Sequence, residues 1–185
     1  MEHAIHYGEE RLTFSMPPGW DLLSRTLPPE REGSDLTVSE LTIKALRHPL
    51  GETAVGDVLK AGKRVAIVTD DGTRATPVRE MLPPLLEELM RRGIRKEDVD
   101  IVVGLGTHVF MEDEALTKKF GKEILKTYRV SQHDSRAADL VPVGRLKTGA
   151  EVRINAIVAR ADVRIGVGSI FPHPMNGFGG GPKII

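Results

Sequence analysis

The chain has 185 residues, 40% hydrophobic and 28% charged, which suits one globular domain with a sizeable core and excludes a disordered or fibrous class. Lys and Arg number 26, as do Asp and Glu, so no global field draws the chain to nucleic acid or a membrane. The absence of Cys excludes disulfides, thiolate metal sites and Cys nucleophiles within the chain. The polar start MEHAIHYGEE has no signal-peptide core and no apolar run reaches membrane-span length, so a cytoplasmic protein is expected.

Taken in order, HAIHYG and RLTFSMP alternate as two short strands around a GEE turn, a small N-terminal β-hairpin. The stretch PPGWDLLSRTLPPEREGSD reads as a loop with one turn of helix at most. LTVSELTIKALRHPL reads as a helix stopping at Pro49, and VGDVLKAG as a short helix ending at Gly62. KRVAIVTD (63–70) is a continuous apolar run, as in a buried parallel strand. Residues 78–93 place Met81, Leu82, Leu85, Leu86, Leu89 and Met90 on one helical face, closed by Gly93. Pro83 and Pro84 there imply either a kink or a later helix start. VDIVVGLG (99–106) is the next strand, and MEDEALTKKFGKEILKTY a helix broken at Gly121. YRVSQHD and DLVPVG read as short strands, INAIVARA as a short helix, and DVRIGVGSI (162–170) as the last buried strand. This alternation predicts an α/β fold: a mostly parallel sheet with flanking helices, Rossmann-like and three-layered.

Ligands in such sheets sit beyond the carboxyl ends of the strands. Three apolar strands here run straight into small-residue loops carrying reactive side chains: Asp71 and Arg74, then His108, then His173 with Lys183. Three loops on one rim converge on one crevice. Asp71-Gly72-Thr73-Arg74 precedes Thr76-Pro77, which reads as N-cap and first residue of a helix. Arg74 could clasp a phosphate or carboxylate, and Asp71 could accept hydroxyl hydrogens; a capping turn with a solvated ion pair would use the same residues. Gly104-Leu105-Gly106 lacks the third glycine of a dinucleotide fingerprint and reads as a turn beside a ligand or helix. His108 is a candidate acid/base or a loop histidine bonded to backbone. His133 adjoins Asp134, but neighbours on a strand face opposite sides, so His133 reads as structural. Gly177-Phe178-Gly179-Gly180-Gly181-Pro182-Lys183 is no P-loop; it is either a flexible tail or a site whose lysine grips phosphate or is acylated by a cofactor.

Asp-Gly-Thr-Arg-Ala-Thr-Pro (71–77), Gly-Thr-His (106–108) and Pro-His-Pro-Met-Asn-Gly-Phe-Gly-Gly-Gly-Pro-Lys (172–183) together resemble the lactate racemase family of nickel-pincer-nucleotide racemases and epimerases. His6-Tyr7-Gly8 with the strand near Phe14, and the stretch from Tyr128 to Asp134, fit the same likeness, which covers essentially all of the chain. Ala75 departs from it, since many relatives have Pro after the Arg, and Pro182 restricts the backbone before Lys183.

The resemblance implies a 2-hydroxy acid racemase or epimerase working by proton-coupled hydride transfer through a 2-keto acid. It implies His108 and His173 as the catalytic acid/base pair, and a nickel-pincer nucleotide attached through Lys183. Asp71, Thr73, Gly179 and Gly180 would hold the nucleotide and Arg74 the substrate carboxylate. Residues 1–185 would form a single N-terminal domain, with no metal ligand of its own, and a C-terminal domain supplying the nickel-ligand histidine and a further substrate lysine. The chain alone is then expected to be inactive. A non-catalytic cofactor- or phosphate-binding module, or one half of a split enzyme, is the other expectation. No nucleic-acid or membrane partner is expected, and an apolar docking face could drive homo-oligomers.

Overall fold

The structure, a computed structural model, describes residues 2–7, 10–21, 34–51, 53–173 and 177–185. The expected Gly8-Glu9 turn, most of the 17–35 loop and Pro174–Asn176 lie outside them. Residues 1–35 and 36–185 are two compact units. In the first, β1 (Glu2–Tyr7) pairs antiparallel with β2 (Glu10–Ser15) in the expected hairpin, Glu2 opposite Ser15.

The second unit opens with α1 (Val38–Arg47), started by a capping box between Thr37 and Glu40. A single turn, α2 (Val55–Val58), leads to β3 (Val65–Thr69), every residue of which is buried. α3 (Val78–Arg91) buries Val78, Leu82, Leu85, Leu86 and Leu89, the stripe that the 3.6-residue period demands. Both Pro83 and Pro84 lie inside it, so the helix does not wait for them. Pro84 has no N–H for the Glu80 carbonyl, and the Ser39 hydroxyl donates to that oxygen instead at 2.9 Å. Gly93, at φ 79, ends the helix: its N–H donates to Met90 O and that of Ile94 to Leu89 O, a Schellman pair.

β4 (Val99–Val103), α4 (Asp113–Phe120), α5 (Lys122–Thr127) and β5 (Arg129–Gln132) follow, with Gly121 at φ 81 breaking the two helices. β6 (Val141–Arg145) and β7 (Glu151–Ile154) form an antiparallel ribbon. The sequence marked the first of these and not the second. α6 (Ala156–Arg160) leads to β8 (Val163–Val167). β9 (Phe171–His173) pairs antiparallel with β10 (Gly177–Gly179), and a 3₁₀ turn runs over Gly181–Ile184.

Strand order in the main sheet is β5-β4-β3-β8, all parallel. Side chains alternate across it. Val65, Ile67, Ile101 and Val103 pack under α3 and α4 with Leu82, Leu89 and Phe120. Ala66, Val68 and Val102 face the other way, against Val158, Ala161 and Ile184. This is the expected three-layer α/β fold. The chain steps outward from β3 to β5, then returns to the other side of β3 as β8. That reversal puts the topological switch point between β3 and β8, where ligands bind in open α/β sheets.

One local expectation fails. Thr76 is not the cap of α3: Pro77 holds that position without a side-chain bond, and the first helical residue is Val78. The Thr76 hydroxyl is drawn instead to the buried carboxylate of Asp70.

Candidate functional site at the switch point

Asp70 and Asp71 leave the end of β3 in opposite roles. Asp70 is 5% exposed and receives bonds from Lys119 Nζ at 2.8 Å, from the Thr76 hydroxyl, and from the Ser169 N–H at 3.4 Å. Thr76 Oγ1 also accepts from the Ser169 N–H at 3.0 Å. The loops after β3 and β8 are therefore tied through one buried carboxylate. Lys119 further donates to the Asp71 carbonyl at 2.8 Å. Neither Asp70 nor Lys119 stood out in the sequence. The available signal was that Lys119 shares a helical face with Leu116 and Phe120.

Asp71 turns its carboxylate the other way. Oδ1 accepts from the Thr73 N–H at 2.7 Å and the Thr73 hydroxyl at 2.5 Å. Oδ2 lies 2.6 Å from His108 Nδ1. A carboxylate can only accept, so Nδ1 carries the proton and Nε2 of the neutral ring is the lone-pair nitrogen. Burial alone would push the Asp71 carboxyl up; the bonds from Thr73 and His108 outweigh it and hold the group below the usual carboxylate range.

The loop bearing His108 is clamped from behind. Gln132 accepts from the Met111 N–H at 2.7 Å and donates to the Met111 carbonyl at 2.9 Å. Gly104 opens the same loop, and its missing side chain has a reason: a Cβ there would stand 2.6 Å from the Ile184 carbonyl. The glycine-rich terminal stretch is thus no loose tail. Its 3₁₀ turn packs against β8, Ile184 reaches the second core cluster, and Lys183 is left exposed at the rim.

A cavity of about 510 Å³ lies over this rim, within the size range of small-molecule sites. Asp71, Arg74, His108, His173, Gly180 and Lys183 all line it. Thr73 and Gly179 do not: Thr73 sits in the turn behind Asp71, and Gly179 is buried against the Phe171 ring. Arg74 stacks its guanidinium 4.6 Å over Phe171. Burial, then the charges of Lys183 and Arg74, push His173 below the ordinary histidine range, so it is a neutral base near neutral pH. His133, read as structural, also lines this cavity. Within this lining His108, His173, Arg74, Lys183 and Asp71 form a set able to seat an organic anion and exchange protons with it.

Residues 7–185 match the family of the lactate racemase N-terminal domain. Over 185 residues the chain is 30% identical to the lactate racemase of Thermoanaerobacterium thermosaccharolyticum, covering 98% of this chain and 42% of that protein. Over 151 residues it is 30% identical to the lactate racemase of Lactiplantibacillus plantarum, covering 81% and 35% respectively. The solved lactate racemase apoprotein from T. thermosaccharolyticum superposes with a TM-score of 0.75 at 28% identity, over 99% of this chain and 42% of that one. The chain spans about two-fifths of the length of these relatives, and it belongs to the lactate racemase family, which it matches through the N-terminal domain.

Proposed function

We propose that the chain is the N-terminal, ligand-binding domain of a 2-hydroxy acid racemase or epimerase, active together with the further length that its relatives have. The observation that carries this reading is that His108 and His173, from different strand ends, line one cavity with Arg74 and Lys183. Inverting a carbon requires proton exchange at two faces, and imidazole serves as acid and base near neutral pH.

Each residue has a part. Asp71 fixes the His108 tautomer, so Nε2 can take the hydroxyl proton of the substrate. His173, kept neutral by its surroundings, is the matching base on the other face. Arg74, stiffened by its stack on Phe171, holds the substrate carboxylate bidentately.

The family resemblance adds a nickel-pincer nucleotide. The residues fit such a group: Lys183 offers an exposed amine at the cavity, and Gly106 lines it with open space where a Cβ would stand. Lys183 would bind it covalently. Asp71 and Gly180 would shape its seat from the wall, and Thr73 and Gly179 from the turns that fix that wall. When bound, the group would accept and return the Cα hydride while the substrate passes through its 2-keto acid. Among the described residues no three His, Asp or Glu side chains are grouped to hold a metal ion, so nickel would need donors beyond them.

The test is intact mass, measured on protein extended to the length of its relatives and co-expressed with the cofactor-synthesis enzymes. A covalent increase in the parent that is absent in Lys183→Ala supports the reading. No adduct and no bound nickel on a folded parent would sink it, leaving a phosphate-binding module.

A further inference from the structure

His108 sits in a loop that does little to hold it. Gly104 and Gly106 stand upstream, Gly106 at φ 58. Downstream, Val109 and Phe110 are 87% and 56% exposed, so burial gives the imidazole no hold from that side. The His108 N–H donates to the Leu105 carbonyl at 3.0 Å, which anchors the near side of the residue. The anchor on the far side is Met111, and its backbone is held by Gln132.

Gln132 is the last residue of β5, at the edge of the sheet, opposite Val103 of β4. Opposite residues in a parallel pair share a face, so its side chain rises with Val103 on the side covered by α3 and α4. The chain passes there just before α4 begins at Asp113. The Met111 N–H donates to Gln132 Oε1 at 2.7 Å, and Gln132 Nε2 donates to the Met111 carbonyl at 2.9 Å. The amide thus serves both backbone groups at once, as a residue of a neighbouring strand would. Turned over, it would set donor against donor and acceptor against acceptor.

The clamped residue also reaches the partner of His108. A Cβ on Gly72 would stand 3.1 Å from Met111 Cε, so the Met111 methyl rests on the turn between Asp71 and Thr73. The same side chain packs against the main core cluster. One glutamine therefore fixes the peptide three residues beyond His108 and, through Met111, the turn that presents Asp71. The 2.6 Å contact between His108 Nδ1 and Asp71 Oδ2 spans these two elements.

We propose that Gln132 is a positioning residue for His108: its clamp on Met111 keeps Nδ1 on Asp71 and leaves Nε2 for the cavity. This rests on the reading of His108 as an acid/base group and adds what holds it in place.

The test uses protein extended to the length of its relatives. Gln132→Met keeps the length of the arm and loses both bonds. Gln132→Glu keeps the acceptor for the Met111 N–H and loses the donor. Histidine-selective ¹⁵N spectra of the parent should show His108 with its proton on Nδ1. In Gln132→Met that proton should no longer be confined to Nδ1, while the His173 signals stay in place. In the cofactor-loaded enzyme kcat should fall about tenfold or more, as when a catalytic group is displaced from a distance, with KM close to parental because Arg74 is untouched. Gln132→Glu should lie between the parent and Gln132→Met in both readouts, and it carries the test if Gln132→Met does not fold. A merely structural glutamine gives another pattern: a lower urea midpoint with His108 still protonated on Nδ1 and kcat parental. That pattern overturns the proposal and leaves the functional reading standing. A parent protein with the His108 proton on Nε2, or a His108→Asn enzyme with parental kcat, overturns both.

Discussion

Lys119 Nζ lies 2.8 Å from Asp70 Oδ1, with each side chain only 6% exposed, and this buried pair joins α4 to the loop that begins the site. Removing one member leaves the other charge buried and unmatched, which costs about 3–5 kcal/mol. Lys119→Met should therefore lower the urea midpoint sharply. Adding Asp70→Asn should recover part of the loss, because the neutral amide needs no counter-charge. A coupling of about 1 kcal/mol or more between the two changes is expected from a double-mutant cycle. Independent, additive effects would show that the pair does not act as a unit.

Asp71 and His108 form the second relationship with a measurable outcome. In Asp71→Asn, the side-chain amide can present its NH₂ to His108 Nδ1. Nδ1 then becomes the acceptor and the ring proton moves to Nε2, the nitrogen required as base. Turnover by the cofactor-loaded, full-length enzyme should fall by about 10²–10⁴, the usual worth of a positioned base. Substrate binding should change little, because Arg74 is untouched. The tautomer is readable by ¹⁵N NMR without any turnover. An Asp71→Asn protein that keeps His108 protonated on Nδ1 and keeps its rate would exclude this role.

Much of this arrangement was legible because apolar runs and strand-end loops follow from local rules. The runs 63–70, 99–106 and 162–170 read as buried strands; β3 and β4 are so, while β8, at the sheet edge, buries Val163 and Val167 and exposes Arg164, and the three loops do meet at one cavity. What escaped depends on contacts between distant residues. Thr76 looks like a helix cap by its neighbours, and only the Asp70 carboxylate six residues back, with Ser169 beyond, redirects it. Lys119 reads as a surface lysine until its helical phase is counted against a buried acid 49 residues away. The glycine-rich end fits a loose tail equally well, because its order comes from Ile184 packing on a distant sheet. His133 read as structural because strand alternation says that it faces away from Asp134 and not what it faces.

The docking of that last turn predicts a graded response to added methyl groups. At Gly104 a Cβ would meet the Ile184 carbonyl at 2.6 Å, a backbone atom that cannot swing aside. At Gly168 it would meet the tip of the Ile184 side chain at 3.3 Å, which can rotate. Gly104→Ala should cost about 1–3 kcal/mol, as overpacking does, and Gly168→Ala less. Hydrogen exchange at the Lys183 and Ile184 amides should rise in the first variant and stay near parental in the second. Equal effects would mean that the turn is not held by close approach to the end of β4.

Acid should weaken the fold in two stages, since all the shifted acid/base groups at issue point the same way. His173 lies below its ordinary value of 6.5, owing to burial and then to Lys183 and Arg74. The unfolded chain therefore takes up its proton first as pH falls, and stability declines from about 6.5 down to the folded value. Glu88 is held at about 2, against an ordinary 4.5, chiefly by its hydrogen bond from Arg91, with Arg92 adding to it against the opposing effect of burial. Its contribution is whole above about 4.5 and is lost as pH falls toward about 2. Asp71, lowered from 3.8, adds to this second stage. In each case the unfolded state binds more protons, so unfolding free energy rises with pH across both windows. Urea midpoints measured from about pH 7.5 to about pH 3 should trace this curve. His173→Asn should flatten the upper stage alone, and Glu88→Gln should reduce the lower. A midpoint that rises on acidification through either window would contradict the assigned direction of the shift there.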